Sequence, residues 1–157
     1  MWLRYLGLAL SLGLVSGCGA SREVDAAERR QIEQRLADYA AQMALAYESG
    51  EASVVGDVAT EREVDRLRIS IEELAVEGRA LRPTLRSQVV ESIERAGNTA
   101  VAVGTIEVWD LRVVTLGGEQ LVSESLAQEN RLTYSLLREG GEWRVLSRLL
   151  RSSTEEP

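Results

Sequence analysis

No histidine occurs anywhere in this 157-residue chain, and it holds a single cysteine. Those two absences remove the commonest general base, the commonest zinc ligand and any disulfide within the chain. Phenylalanine is missing as well, so aromatic bulk comes from three tryptophans and four tyrosines, too few to spare from filling a core. Positive charge is in deficit: 18 basic residues face 25 acidic ones, for a net charge of -7. A chain of that sign repels phosphate backbones, so nucleic acid is not an expected partner. The basic residues are scattered between acids, and clusters such as Arg62, Arg66 and Arg68 read as solvated helix faces. The acidic stretches ESIE and IEELAVE lack the spacing and turn glycine of a calcium loop, and neither metal nor cofactor is expected.

What is present begins with the cysteine. MWLRYLGLALSLGLVSGC carries one positive charge at Arg4, an apolar stretch from Tyr5 to Val15, then small residues. This is the layout of a secretory signal, and it is short for a membrane-spanning helix, which needs roughly 20 apolar residues. Val15, Ser16, Gly17 and Cys18 together resemble the lipobox of bacterial lipoproteins. The resemblance implies cleavage between Gly17 and Cys18, a diacylglyceryl group on the Cys18 sulfur, and further acylation, palmitate for example, of the new amine. One acyl chain binds a membrane marginally, whereas two or three anchor stably. Gly19 stands where an aspartate would suggest inner-membrane retention, which points to the outer membrane. The expected location is the bacterial cell envelope, with the domain in the periplasm or at the surface.

The remaining length suits one domain. We divide the chain into a signal peptide over 1–17, an anchor and tether over 18–24, an α+β domain over 25–150 and a flexible tail over 151–157. Ile32, Leu36, Tyr39, Ala40, Met43 and Tyr47 recur at steps of three and four, which predicts a helix that Gly50 can end. Residues 52–59 suit a helical turn or two. Thr60 and Glu63 have the spacing of a reciprocal helix cap before Val64, Leu67, Ile71 and Leu74, and Gly78 supplies the stop.

From Leu85 to Leu150 the period changes. Runs rich in valine, leucine and threonine are punctuated by AGN at 96–98 and by GG at 117–118 and 140–141, three turns joining four strands. Leu132, Tyr134 and Leu136 alternate with Arg131, Thr133 and Ser135, so one face is buried. The middle strands run long enough to need bends near Gly104 or Asp110. Arg138 and Arg144 flank the last turn, where pairing with Glu139 or Glu142 is expected. The fold class is α+β, N-terminal helices packed on a bent four-stranded antiparallel sheet. The element order, and the closing stretch NRLTYSLLREGGEWRVLSRLL, resemble the NTF2-like, cystatin-like cone. That resemblance implies either a pocket enzyme or ligand carrier, or an inactive binding module. Catalytic members use acids, tyrosines or histidines projecting into the cone, and this chain departs from the histidine pattern.

Glu107, Trp109 and Tyr134 are the candidate pocket residues. A carboxylate forced into an apolar pocket would gain acid/base capacity, but most acids are exposed, and exposure is the expectation for Glu107 and Asp110. Glu107 and Trp109 share a strand face while Asp110 points away, so the two carboxylates do not converge. Trp143 and Tyr134 read as core, Trp109 as core or pocket rim. No catalytic residue is assigned and no enzyme is expected. The reading is a non-catalytic binding or assembly module, held to a membrane through Cys18 and engaging a protein partner or a second copy. The alternative is a small-ligand carrier or pocket enzyme using a buried carboxylate.

Overall fold

The computed structural model describes residues 23–118 and 120–151. The cleavage and lipidation residues Gly17 and Cys18, and the tail from 152, lie outside the described residues. Asp25 starts helix α1 (Ala26–Ser49): its carboxylate accepts the N–H groups of Ala27 and Glu28 at 2.9 and 2.8 Å. These are donors that a helix start otherwise leaves unpaired. Gly50 closes the helix with φ of 80°, a left-handed cap that costs glycine no Cβ clash. Ile32, Leu36, Tyr39, Ala40 and Met43 of the expected stripe are buried, and Tyr47 is half-buried. Fully burying a side chain such as Leu36 is worth about 1.5–3 kcal/mol, which is why this face fixes the helix to the sheet.

A 3-10 turn over Ala52–Asp57 leads to helix α2 (Glu61–Val76). The reciprocal cap expected of Thr60 and Glu63 does not form. The Thr60 N–H donates to the Val145 carbonyl at 2.9 Å and is no longer free for Glu63. Glu63 instead accepts the Tyr39 hydroxyl, and Thr60 Oγ1 is without a partner among the described residues.

Strands β1 (Arg79–Arg95), β2 (Ala100–Thr115), β3 (Leu121–Glu139) and β4 (Glu142–Leu150) form one antiparallel sheet in sequence order. Strand β1 begins earlier than Leu85, at Arg79. It accommodates Pro83 because it is an edge strand, bonded to β2 alone. The pairing slips at Leu85/Ser87, at Val90/Ser92 facing Gly104, and at Trp109/Leu111 around Asp110. Bulges bend a strand, and these fall where bends were expected. Helices on one face of a bent four-stranded antiparallel sheet make the expected α+β class. No helix among the described residues is long and apolar enough to cross a membrane.

The two ends of the sheet differ in coverage. Strand β4 has nine residues and pairs with β3 only over Leu132 to Glu139, with one further bond from the Arg151 N–H to the Arg131 carbonyl at 2.8 Å. Its outer edge is met by the loop before α2, through Val145 N–H to the Val58 carbonyl at 2.9 Å. Residues 121–130 of β3 have a strand neighbour on the β2 side only.

Candidate functional site

The interior of the cone holds a polar cluster built from the long strands. Glu107 on β2 is fully buried, contrary to the exposed position expected for it. Its Oε1 accepts the Tyr134 hydroxyl at 2.7 Å and the Gln88 amide at 2.8 Å. Its Oε2 accepts the Trp109 indole N–H at 2.7 Å and lies 3.6 Å from Arg148 Nη2. An unpaired carboxylate at this depth would cost several kcal/mol, so the donors are what make the burial possible. The structure brings Glu107, Trp109 and Tyr134 together, and all three are sealed from solvent. Trp109 is core and not rim.

A second acid–tyrosine pair lies beside the first. The Tyr39 hydroxyl of α1 donates to Glu63 Oε1 of α2 at 2.7 Å, and Arg66 closes the other carboxylate oxygen at 2.8 Å. The Tyr39 and Tyr134 rings meet edge to face, centroids 6.0 Å apart. Burial, then the Glu63 carboxylate, raise the ionisation of the Tyr39 hydroxyl far above its ordinary value, and burial does the same for Tyr134. Burial likewise pushes the Glu63 carboxyl up, against the Tyr39 hydrogen bond and Arg66. Burial opposes the Arg148 charge, but Tyr134 and Glu107 more than compensate and raise its value. Both tyrosines are thus held as hydrogen-bond donors.

Asp110 points away from this cluster, as the strand alternation required. Its Oδ1 accepts the Ala127 N–H at 2.8 Å and Arg86 Nε at 2.7 Å. The Ala127 N–H, then Arg86, hold its carboxyl below the usual range. It pins a bulge at which Ala127, a non-glycine residue, adopts φ of 51°. At the last turn, Arg144 reaches the Gly56 carbonyl at 2.8 Å as well as Glu139 at 3.8 Å. Arg138 stacks over Trp143 and Glu142 pairs with Arg35, so only one of the expected pairings there is made.

No family model matches the chain and no curated protein does. Solved structures resemble it. The intermembrane space region of the chloroplast protein ARC6 matches with a TM-score of 0.68 and 16% identity, over 79% of this chain and 96% of that one. A periplasmic fragment of TraM matches with a TM-score of 0.52 and 14% identity, over 80% of this chain and 98% of that one. A variant of Rv3472, a function unknown protein from Mycobacterium tuberculosis, matches with a TM-score of 0.51 and 16% identity, over 82% of this chain and 76% of that one. What is shared at these identities is the fold, and function has to be argued from the site.

Arg148, Gln88, Tyr39 and Glu63 were not singled out from the sequence as site residues. Arg148 is instructive. In an unbroken β4, Trp143 and Val145 would place Ser147 and Leu149 inward and Arg148 outward. The pairing slips between Ser135 and Leu136, so that Leu136 faces Val145 while Ser135 faces Ser147. One extra residue turns Arg148 to the buried face, opposite Tyr134. The only sequence signal for it was a charged residue within the largely apolar run from Val145 to Leu150.

Proposed function

We propose that this protein is an envelope lipoprotein, tethered through Cys18, whose domain holds a protein partner or a second copy of itself and catalyses no reaction. The observation that carries this reading is the closed cone. A general base has to come within hydrogen-bond reach of a substrate proton. Glu107 has no exposed surface, and both its oxygens are engaged by donors of the protein itself. With the interior occupied by Trp109, Tyr134 and Tyr39, binding falls to the outside of the domain. The first 17 residues are the cleaved signal in this reading, and an outer-membrane anchor at Cys18 follows from Gly19. Domains of the same fold in an intermembrane space region and in a periplasmic fragment are in keeping with a role beside a membrane.

Native mass spectrometry of the full-length product, extracted from membranes in mild detergent, tests the whole reading. A lipid-sized increment on the chain, together with a protein partner or a dimer, is the expected result. A small molecule retained on a monomer would overturn it in favour of the carrier or pocket-enzyme alternative, in which Glu107 must open to solvent. The anchor has its own check: Cys18→Ala is expected to leave the protein soluble or with its signal uncleaved, while the domain still folds. A variant processed and membrane-bound like the parent would sink the lipoprotein assignment.

A further inference from the structure

The end of the cone that β4 does not reach has a different chemistry from the sealed interior. Two cavities adjoin there, and Arg82 and Glu48 line both. The smaller, about 240 Å³, lies between the C-terminal ends of the helices and the β2–β3 turn, with Tyr47, Ile71, Leu74, Leu81 and Leu116 in its wall. That is below the roughly 300–1,000 Å³ of drug-sized ligand pockets, and suits a single amino-acid side chain. The larger, about 450 Å³, runs along the sheet past Arg112, Val114, Leu121 and Glu124. Leu116 and Leu121, at the rims, are 54% and 53% exposed.

The charges on this surface are incompletely paired. Arg82 faces Arg112 directly across β1 and β2, an arrangement of like charges that costs stability, and Arg112 in turn faces Glu124. Glu124 binds Arg112 at 2.5 Å, Glu77 binds Arg79 at 3.1 Å, and Glu72 binds Arg68 at 2.9 Å. The half-buried Arg82 is left with the Tyr47 and Leu81 carbonyls, at 3.4 and 3.3 Å, and no carboxylate within 4.0 Å among the described residues. Glu48 is exposed.

We infer that this groove docks an extended segment of a protein partner in which one acidic side chain sits beside a large apolar one. The carboxylate meets Arg82 and the apolar side chain fills the smaller cavity. Two adjoining cavities, the smaller mostly apolar and the larger flanked by Arg82 and Arg112, ask for two neighbouring side chains, which a stretch of polypeptide supplies. A net charge of -7 repels runs of acid at range, so the segment carries one carboxylate and not many. The inference rests on the binding-module reading and gives it a surface.

The test is an array of N-acetylated, C-terminally amidated peptides, two adjacent central positions varied over all twenty residues, probed with the full chain in mild detergent. Peptides pairing Asp or Glu with Leu, Ile, Val, Met, Phe or Trp are expected to bind at least about tenfold better than their Asn or Gln counterparts. Arg82→Gln is expected to remove that preference. Leu116→Glu, on an exposed turn, is expected to weaken all the apolar-acidic peptides and guards against a folding defect in the first variant. No enrichment, a preference for basic peptides, binding only by a matching set with free carboxyl ends, or an undiminished preference in Arg82→Gln would each overturn the groove. A partner retained in native mass spectra by Arg82→Gln as well as by the parent would discard the groove and leave the module reading standing. Loss of every partner from the parent itself would remove that reading instead.

Discussion

The half of the sheet that carries β4 and the half that lacks it have been built from the same three long strands, yet they treat charge in opposite ways. Toward β4, Glu107 and Glu63 are buried and each is bound by a tyrosine and by further donors, Gln88, Trp109 and Arg148 for Glu107 and Arg66 for Glu63. At the far end, Arg82 hydrogen-bonds only to backbone carbonyls among the described residues, and Leu121, Val122 and Leu126 stand half out in solvent. The difference teaches that charge is sealed in this fold where several elements converge on it: β1, β3 and β4 each bring a partner to Glu107, and α1 brings Tyr39 to Glu63. Where coverage stops, the same side-chain types remain available to something outside.

Substitutions can break or sharpen that contrast. The largest effect belongs to Glu107→Ala, which strands the Tyr134 hydroxyl, the Trp109 indole, the Gln88 amide and the Arg148 guanidinium. Removing one partner of a buried charged pair costs about 3–5 kcal/mol, and urea denaturation should show a loss of that order. A loss under about 1 kcal/mol would mean that the interior is held by packing alone. Tyr134→Phe keeps the ring and takes away one donor, for an expected loss of about 1–3 kcal/mol in the same measurement. Glu63→Gln should act through pH. Its carboxyl is raised from 4.5 by burial, so the folded state holds the proton more tightly than the unfolded chain does, and stability falls as pH rises above that value. The glutamine variant is expected to lose this slope, so that its stability relative to the parent improves as pH rises from 4.5 toward neutrality. A parent that gains stability over the same range would reverse the sign we assign. The smallest effect is expected for Arg82→Gln, within about 0.5 kcal/mol of the parent, because the two carbonyl contacts it gives up are long and it faces the like charge of Arg112. A loss as large as that of Tyr134→Phe would show the far end to be as structural as the near one.

Much of the frame could be read from residue spacing. The stripe from Ile32 to Met43, the stop at Gly50, the three glycine-bearing turns and the alternation around Tyr134 all involve contacts within an element or between neighbours in sequence. Glu107, Trp109 and Tyr134 could be named as a group because strand alternation puts the first two on one face and a hairpin brings the third alongside. The burial of Glu107 could not be read that way. Acids are mostly exposed, and the exception here depends on Gln88, Tyr134 and Arg148 arriving from three other strands. Thr60 and Glu63 carried a correct cap spacing, but Val145 took the N–H that the cap needed.

Local periodicity by itself determined that this chain makes two amphipathic helices and four antiparallel strands, because each of those properties rests on side chains a few residues apart. Only the tertiary structure decided which charges are sealed inside and which remain free. A single-residue slip in β4 turns Arg148 inward to meet Glu107, and the shortness of that strand leaves residues 121–130 of β3 paired on the β2 side alone. Both outcomes depend on the register between strands, which one side chain in isolation does not carry.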